Sequence, residues 1–381
     1  SGQSSRTNYS RRTWSASRLQ TWQKCPRKGW LERRLNAGSM EQQEEDLDAR
    51  IRGNIVHESL GILFEKVFSL NEGEVRESEG STSLANSGYS VKDLFGYILD
   101  YVAECAPWLE RDDATAAQRR YDLIGLSKKV WLNWLASTDS GTLSPSGRLG
   151  NMLQAEMNLY NSIPISYEWP LNGMEVNHPD GRKLCLTGFI DRVDVLHNPA
   201  LDDGDDSITP LDWNISSQWR PKRLILIRDI KSVDGPSKEM AGFRHRKALF
   251  DELQLGLYAR CWEIANPVDL VIGVGISEVG MKTNHSIEIS PSFVELFEGN
   301  GIGELTTYTH NTHRFPGENM HPESDPFRAW MAERLTTAFD VAEDAESGMV
   351  HFTPEEGNCM YCRVKEICGF GSIIGGESTW S

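Results

Sequence analysis

The sequence lacks several features that would assign it to common functional classes. It has no uninterrupted run of about 18 apolar residues, so we expect no membrane-spanning helix. The opening residues, SGQSSRTNYSRR, lack the apolar segment of a secretory signal, and we therefore expect a cytoplasmic protein. Neither a G-x-x-x-x-G-K-[S/T] phosphate loop nor a complete G-x-G-x-x-G fingerprint occurs. The first absence excludes a P-loop motor within this chain, and the second gives no support to a dinucleotide site.

Positive charge is scarce overall and concentrated locally. The 381 residues include 39 Lys and Arg against 55 Asp and Glu, which gives a formal net charge of −16. Phosphate binding depends on the local potential rather than on this total. Basic residues cluster in RRTWSASRLQTWQKCPRKGWLERR at 11–34 and in FRHRK at 243–247, away from the acidic runs EQQEEDLD and DDGDD. The two basic clusters are therefore candidate contacts for a nucleic acid.

The seven cysteines are an odd number, and without a secretory signal they do not favour a disulfide framework. Cys359, Cys362 and Cys368 follow a C-x-x-C-x₅-C spacing near the C-terminal end. Three thiolates leave one ligand missing from a four-ligand metal site. The spacing alone fits zinc and an iron–sulfur cluster equally well. Three further cysteines lie in apolar segments, where core packing is the simplest interpretation: Cys105, Cys185 and Cys261.

Hydrophobic periodicity predicts a mixed α/β chain without internal repeats. Helical patterns occupy 14–35, a stretch beginning near Ile51, 91–136, 251–264 and 324–348. Strand patterns occupy 183–196, 223–233, 267–279 and 285–290. The first two strand segments, KLCLTGFIDRVDVL and RLILIRDIKSV, are consistent with an elaborated hairpin. Residues 71–90 are rich in Gly and Ser and read as a loop or a disordered link.

One strand pattern carries an acid and a lysine near its end. Asp229 and Lys231 in LILIRDIKSV are two residues apart, so their side chains share one face of a strand. Burying these charges is costly unless they pair with each other or bind a ligand. A structural Asp–Lys ion pair explains this dipeptide when it is taken alone.

Other segments supply the remaining groups of a candidate cation site. Asp191 and Asp194 lie three residues apart in LTGFIDRVDV, so only one of them can join Asp229. Two predicted helices supply the rest: His57 in GNIVHESL, and Gln254 and Tyr258 at i and i+4 in QLGLY. Aspartate and histidine donors suit a hard divalent cation. A lysine beside them can orient a water and help deprotonate it, which indicates metal-assisted phosphodiester hydrolysis.

The order H…G-x-x-D-R…D-x-K…Q-x-x-x-Y, with the opening SASRLQTWQKCPRKGWLERRL, resembles the RecB/AddB branch of the PD-(D/E)XK nucleases. The resemblance extends over about residues 15–370, apart from 71–150. It implies a restriction-endonuclease-like core with a mixed central sheet flanked by helices. The implied ligands of Mg²⁺ or Mn²⁺ are His57, Asp191, Asp229 and the carbonyl of Ile230. The implied catalytic residues are Asp191, Asp229, Lys231, Gln254 and Tyr258.

The same resemblance divides the chain, taken as one nuclease domain over 1–381, into four parts. These are N-terminal helices at 14–70, a mostly helical insert at 71–150, the nuclease core at 151–300, and a C-terminal helix with the cysteine cluster at 325–381. The N-terminal part contains Cys25 and His57.

The resemblance also implies a fourth cysteine ligand. In the iron–sulfur members of this branch, a cysteine near the N-terminal helix joins three at the C-terminal end. Cys25 in KCPRKGW takes that place, with Cys359, Cys362 and Cys368 as its partners. The implied cofactor is a [4Fe–4S] cluster that joins the two ends of the chain, with zinc as the alternative.

The activity implied by the resemblance is that of a Mg²⁺- or Mn²⁺-dependent deoxyribonuclease, expected to be an exonuclease. Its expected substrate is single-stranded DNA or DNA ends in repair or recombination. A helicase, or another repair or CRISPR protein, is a further expected partner. Two alternatives stay open: a nuclease of CRISPR adaptation, and a catalytically silent DNA-binding scaffold with the same fold.

Several neighbouring residues receive lesser roles. Glu156 precedes the first strand, where members of the family often carry an acid, but a solvated charge at a helix end is the simpler interpretation. Asp194 is expected behind the site or on the surface, and Arg192 as an ion-pair partner. Four histidines match no motif and are expected on the surface: His245, His310, His313 and His321.

Overall fold

A computed structural model describes residues 13–37, 49–77, 80–137, 143–197, 223–233, 252–306, 326–353, 359, 362–365 and 367–368. The described α-helices are α1 (Ala16–Lys24), α2 (Pro26–Gly29), α3 (Ala49–Phe68), α4 (Val91–Cys105), α5 (Ala114–Ile124), α6 (Lys128–Ser137), α7 (Gly147–Glu156), α8 (Gln254–Ala265), α9 (Val294–Phe297) and α10 (Pro326–Glu346). The described strands are β1 (Thr13–Trp14), β2 (Ser162–Pro170), β3 (Met174–Asn177), β4 (Lys183–Leu186), β5 (Phe189–Leu196), β6 (Arg223–Ser232), β7 (Asp269–Val279), β8 (Thr283–Ile289) and β9 (Glu304–Thr306).

The chain divides into two compact units. The first unit takes 1–41, 171–188 and 334–381, and the second takes 42–170 and 189–333. The histidine, the acids and the lysine of the expected cation site belong to the second unit, and the four expected cluster cysteines belong to the first.

The second unit is built on a six-stranded mixed sheet with the strand order β2-β5-β6-β7-β8-β9. β6 runs parallel to β7 and β8 to β9, whereas the other neighbours are antiparallel. β7 is buried along its whole length, as a continuous apolar run indicates for a strand covered on both faces. The chain passes from β6 to β7 through α8, since parallel neighbours need a crossover connection.

Helices α3, α4, α5, α6 and α7 form much of one hydrophobic core of the second unit. This core reaches the sheet at Tyr167, Ile230 and Val279. The ends of these helices follow local sequence signals. α4 begins with a capping box between Ser90 and Asp93. α5 ends at Gly125, whose φ of 67° is the left-handed conformation that glycine adopts without strain.

The first unit contains a three-stranded sheet with the order β1-β4-β3. The Ser15 side chain accepts a hydrogen bond from the Arg18 amide and so caps α1. α1 stops at Cys25, where φ is −162°, because the residue before a proline disfavours the helical conformation. The Trp14 indole donates to Glu346 of α10 at 3.2 Å, which links the two ends of the described chain within this unit.

The structure confirms the expected mixed sheet flanked by helices, including the antiparallel pairing of β5 with β6. The helical prediction for 14–35 is confirmed over most of its length, with a break at Cys25 and a π-helical turn at Trp30–Arg34. Cys105 is exposed and not a core residue, because it lies at the last position of α4. The expected cap of α10 at 324–325 lies outside the described residues, and the insert and domain boundaries stay predictions. Among the described helices, none is long and apolar enough to cross a bilayer.

Candidate active site

The centre of the candidate site is the point where β5 and β6 separate. The backbone ladder between them runs to the pair Arg192 and Arg228. The amide of Ile230, two residues beyond Arg228, donates instead to the Asp191 carboxylate, with 2.8 Å between N and Oδ2. The Asp191 side chain thus accepts a hydrogen bond that a main-chain carbonyl of β5 would otherwise accept. This satisfies the Ile230 amide and leaves a gap between the two strands. Asp191 borders this gap from β5 and Asp229 from β6.

Asp229 and Lys231 lie on one face of β6, as their spacing predicts. The Lys231 Nζ is 2.8 Å from Asp229 Oδ2 and 3.1 Å from Oδ1. Asp229 is almost fully buried, whereas 36% of the Lys231 side chain remains exposed. The ammonium group is therefore fixed by its partner and still accessible to a molecule in solution.

Helix α3 brings His57 to the same gap. The His57 Nε2 lies 3.0 Å from the Ile230 carbonyl oxygen and 3.9 Å from Asp191 Oδ2. Its other ring nitrogen, Nδ1, lies 3.1 Å from Oε1 of Glu168 on β2. The Tyr167 hydroxyl donates to the His57 carbonyl at 2.6 Å. A Cβ at position 61 would lie 2.6 Å from the Tyr167 ring, so the close approach of α3 to β2 requires Gly61.

Helix α8 supplies two further side chains. Gln254 Nε2 donates to Asp229 Oδ1 at 2.8 Å, so Asp229 is held by both Gln254 and Lys231. Burial, together with the charges of Asp191 and Asp229, raises the pKa of Tyr258. The Tyr258 phenol therefore keeps its proton at neutral pH and can donate a hydrogen bond.

Carboxylates outnumber cations in this cluster. Burial and the charge of Asp229 raise the pKa of Asp191 to about 8. Burial lowers the pKa of His57, but the hydrogen bond to Glu168 and the charges of Asp191 and Glu168 outweigh it and raise the pKa to about 9. Burial also lowers the pKa of Lys231, and the Asp229 carboxylate outweighs it, so Lys231 stays a cation. Without a metal ion, the cluster thus retains protons to offset its negative charge.

The donor atoms fit a hard divalent cation. Ligand atoms of His57, Glu168 and Asp191 lie within 4.8 Å of one another. Three carboxylates in the cluster face a single lysine, and one imidazole nitrogen points at a main-chain carbonyl and a carboxylate oxygen. Nitrogen and oxygen donors with excess negative charge are typical of sites for Mg²⁺ or Mn²⁺. The donors predicted from the sequence, which stay a prediction, are His57 Nε2, the carboxylates of Asp191 and Asp229, and the Ile230 carbonyl.

The end of β6 beyond Lys231 is fixed by a buried arginine on α7. Arg148 Nη1 donates to the carbonyl oxygens of Val233 at 2.5 Å and Val279 at 2.8 Å. The Arg148 guanidinium also pairs with Asp122, whose two carboxylate oxygens are each 3.2 Å from Nη2. This arrangement anchors the carboxyl ends of β6 and β7 next to the site.

Sequence reasoning missed Glu168 and Arg148. The signal for Glu168 in SYEWP is an acid within a strand, but no motif surrounds it. The first strand pattern predicted from the sequence also begins only at residue 183. Arg148 follows the break DSGTLSPSG and looks like a solvated first-turn residue of a helix. Neither role is readable locally, because His57 is 111 residues from Glu168 and Val233 is 85 residues from Arg148 along the chain.

The solvated interpretation of Glu156 and the surface alternative for Asp194 are wrong. Glu156 is buried and not solvated, since Arg192 Nη1 lies 2.6 Å from its Oε2. Asp194 is fully buried on the other side of β5, where it pairs with Arg192 and Arg228 at 2.7 Å each. The expected ion-pairing role of Arg192 is confirmed by both contacts. The surface placement of four histidines lies outside the described residues: His245, His310, His313 and His321.

The cysteines expected to bind a metal lie where the first and last described segments of the first unit meet. The Arg27 amide, two residues after Cys25, donates to the His351 carbonyl at 3.0 Å. Burial raises the pKa of Cys362. The charge of Lys28 lowers this pKa, and the charges of Glu32 and Cys368 raise it. All four thiols are partly buried and none forms a disulfide: Cys25, Cys359, Cys362 and Cys368. Four thiols are the donor set that an iron–sulfur cluster or a zinc ion requires.

The basic cluster of 11–34 is partly described. Arg33 and Arg34 are exposed at the end of the π-helical turn, while Lys28 lies 3.9 Å from Glu32. Arg27 packs over the Trp30 ring at 5.2 Å. The second basic cluster, at 243–247, lies outside the described residues.

A comparison with protein families matches this chain over residues 13–369 to the model of the PD-(D/E)XK nuclease superfamily. The matched range contains every residue placed at the site above, together with the four cysteines of the first unit. A comparison with curated proteins finds no match.

Proposed function

Because the chain belongs to the PD-(D/E)XK nuclease superfamily, whose members are metal-dependent nucleases, we propose that it is a Mg²⁺- or Mn²⁺-dependent deoxyribonuclease of the RecB/AddB type. The observation that carries this proposal is the meeting of His57, Asp191 and the Asp229–Lys231 pair at the gap between β5 and β6. Its substrate is single-stranded DNA or a DNA end, and its action is that of an exonuclease in repair or recombination.

The side chains of the site divide the work of phosphodiester hydrolysis. A bound divalent cation would neutralise charge developing on the phosphate and lower the pKa of the attacking water. Lys231 presents an ammonium group beside that position and stabilises the added negative charge of the transition state. Asp229 fixes Lys231 in place and is itself fixed by Gln254. Tyr258 keeps its proton and donates a hydrogen bond that positions the scissile strand.

The basic cluster at 11–34 is the proposed contact for the DNA backbone. Arg33 and Arg34 are exposed, as phosphate-binding residues must be. Binding through such contacts weakens as the salt concentration rises, because releasing counterions from the DNA is then less favourable. A high net negative charge elsewhere on the chain favours contacts that are confined to this cluster.

The four cysteines of the first unit are the proposed ligands of a [4Fe–4S] cluster: Cys25, Cys359, Cys362 and Cys368. The meeting of their two segments at Arg27 and His351 supports this assignment. Cross-linking positions so far apart removes loop-closure entropy from the unfolded chain worth about 5 kcal/mol. The cluster would therefore have a structural role. Iron and sulfide content of protein purified without oxygen tests this assignment, and stoichiometric zinc without iron would contradict it.

Cleavage of end-labelled single-stranded DNA tests the proposed activity. We expect cleavage with Mn²⁺, none with EDTA, and none by Asp229→Ala or Lys231→Ala. Lys129→Ala is the matched control, since Lys129 is an exposed lysine on α6 of the same unit. Undiminished cleavage by either site variant would remove that residue from the mechanism.

Only one of the alternatives predicts a different result in the same assay. A catalytically silent scaffold binds the labelled DNA and leaves it intact with Mn²⁺. A nuclease of CRISPR adaptation, or one that works with a helicase, cleaves DNA here and differs only in its protein partners. A circular single-stranded substrate separates the exonuclease from an endonuclease, because only the latter cuts a strand without ends.

A further inference from the structure

We propose that Glu168 is a positioning residue that orients His57 and fixes which ring nitrogen faces the cation. This inference rests on the proposed function, because it concerns the same site. It goes beyond it by assigning a role to a residue that no motif of the sequence marks. A carboxylate oxygen of Glu168 lies within 4.8 Å of ligand atoms of His57 and Asp191. Glu168 can therefore either bind the cation itself or orient His57.

The geometry of the imidazole separates these two roles. His57 Nε2 points at the Ile230 carbonyl, 3.0 Å away, and at Asp191 Oδ2, 3.9 Å away. Both of those groups are donors of the proposed cation position. Glu168 Oε1 is on the other side of the ring, 3.1 Å from Nδ1. An oxygen that accepts the Nδ1 proton faces away from the cation and holds the lone pair of Nε2 toward it.

A carboxylate on the far nitrogen of a metal-binding histidine is a recurring arrangement. It fixes the tautomer and the ring orientation and increases the basicity of the ligating nitrogen. Here the residue before Glu168 contributes as well. Tyr167 donates its hydroxyl to the His57 carbonyl, so adjacent residues of β2 fix the backbone and the ring of His57.

The backbone conformation of Glu168 supports the proposal independently. Its φ is +46°, in the left-handed region. The described non-glycine residues with positive φ also include Asn36, Ser69 and Asn172, which lie in turns or loops, whereas Glu168 lies within a strand. A strand residue in a sparsely populated conformation is retained only where its surroundings fix it, and such strain concentrates at functional sites. The conformation turns the Glu168 side chain toward His57.

Neighbouring pairs on the sheet place Glu168 beside another acid. Tyr167 pairs with Arg192 and Trp169 pairs with Ile190, so Glu168 lies across from Asp191. Like charges across two strands are unfavourable unless something offsets them. The imidazole of His57 lies between these two carboxylates, 3.1 Å from one and 3.9 Å from the other.

Mn²⁺ affinity, measured by titration calorimetry on the full chain without DNA, tests the proposal. Glu168→Gly removes the carboxylate and tolerates the positive φ, and Glu168→Gln keeps an oxygen that accepts the Nδ1 proton. We expect Glu168→Gly to weaken Mn²⁺ binding by about 10- to 100-fold, as loss of an orienting partner does. We expect Glu168→Gln to weaken it by less than about fivefold, because the hydrogen bond survives. Glu65→Gln, an exposed acid on the same helix as His57, is the control that leaves affinity unchanged.

The comparison variant for a direct ligand is Asp191→Asn. If Glu168→Gln weakens binding as much as Asp191→Asn does, Glu168 binds the cation itself and the proposal is wrong. If Glu168→Gly leaves the affinity unchanged, Glu168 has no role and the proposal is also wrong. Thermal melts identify any variant that fails to fold, and Glu168→Gln then decides between the ligand and the orienting role.

Nitrogen NMR of histidine-labelled protein gives a second readout that a purely structural role would not move. With Mg²⁺ bound, we expect His57 to carry its proton on Nδ1 alone, and Glu168→Gly to lose this single tautomer. The His57→Ala spectrum assigns the signal. Because both measurements omit DNA, protein that binds Mn²⁺ but cleaves nothing contradicts the proposed function and not the role of Glu168. Protein that binds no Mn²⁺ contradicts both.

Discussion

Strands β5 and β6 carry two charged clusters on their opposite faces, and the clusters differ in charge balance. The active-site cluster comprises His57, Glu168, Asp191, Asp229 and Lys231. The buried ionic cluster comprises Glu156, Arg192, Asp194, Arg228 and His285. Alternation along the strands separates them, since Asp191 faces one cluster and its neighbour Arg192 the other.

The buried ionic cluster is balanced by its own side chains. Two arginines face two carboxylates, with Asp194 pairing with Arg192 and Arg228 at 2.7 Å each. Burial lowers the pKa of His285 to about 4, so His285 stays neutral beside Glu156. The cross-strand neighbours Arg192 and Arg228 carry like charges, and Asp194 lies between them. This cluster needs no further ion.

The active-site cluster lacks that balance. Its three carboxylates face one lysine, and Asp191 and His57 hold protons in compensation. Under the proposed function, the same pair of strands buries balanced charge on one face and retains excess negative charge for a cation on the other.

The largest expected effect comes from Asp229→Asn. Removing this carboxylate withdraws a proposed cation donor and the partner of Lys231, and we expect DNA cleavage to fall by at least about 10³-fold, since metal-ion stabilisation is worth several kcal/mol. The free energy of unfolding should stay the same or rise, because one unbalanced negative charge is lost. Cleavage rates and denaturant melts measured on the same protein check both parts. A parallel fall in stability would contradict the contrast between the clusters.

Removing a charge from the buried ionic cluster should lower the free energy of unfolding, in contrast to Asp229→Asn. Arg228→Met leaves Asp194 buried beside one arginine, and we expect a loss of about 3–5 kcal/mol in the free energy of unfolding. Urea denaturation checks this value. Arg182→Met is the control, since the carboxylate partners of Arg182, Asp180 and Asp340, are both exposed. Equal destabilisation by both variants would show that burial of the cluster is not what makes Arg228 important.

The pH dependence of cation binding should report the protons of the active-site cluster. Asp191 and His57 have pKa values raised to about 8 and about 9, and binding of a cation must displace both protons. Mn²⁺ affinity should therefore increase from pH 7 upward, by up to about tenfold per pH unit for each proton released, and level off above both pKa values. Calorimetric titrations at several pH values check this, and Asp191→Asn should reduce the slope. A flat profile in the unaltered protein would contradict proton displacement.

The same pKa shifts determine how the stability of the cation-free protein changes with pH. The folded-state pKa of His57 is about 9 against 6.5 for the unfolded chain, so its contribution is present below pH 6.5 and lost as the pH rises through 9. The raised pKa of Asp191 acts in the same direction between 3.8 and about 8. Added Mn²⁺ should restore the melting temperature most strongly at the alkaline end.

The smallest expected effect concerns Arg148. Arg148→Lys keeps a positive charge but loses the planar fork, in which Nη1 holds two strand-end carbonyls while Nη2 holds Asp122. We expect kcat to fall by about tenfold, as modest misplacement of catalytic groups does, with KM nearly unchanged. Steady-state cleavage of single-stranded DNA checks this. A change confined to KM would indicate that Arg148 affects DNA binding and not the position of Lys231.

Local patterns predicted much of the fold and of the site. Period-two alternation placed Asp229 and Lys231 on one face, and it required Asp191 and Asp194 to point apart, as they do. The continuous apolar run of 267–279 predicted the buried strand β7. These features depend on neighbouring residues only, which is why sequence reasoning reaches them.

Glu156 and Glu168 escaped prediction because their partners are distant along the chain. The burial of Glu156 follows from Arg192 on a strand 36 residues away. The role of Glu168 follows from a positive φ and a histidine 111 residues away. The break at Cys25 was readable, because a proline follows it, but the helical periodicity of 14–35 obscured it.

Ile230 connects packing and chemistry within one residue. Its side chain lies in the hydrophobic core of the helices, and its carbonyl oxygen faces His57. Because a main-chain oxygen persists through every substitution, no mutation at this position can delete the donor directly. A change of side-chain volume there can still shift it, so repacking the interior of the protein becomes a means of tuning the strength with which a metal is held.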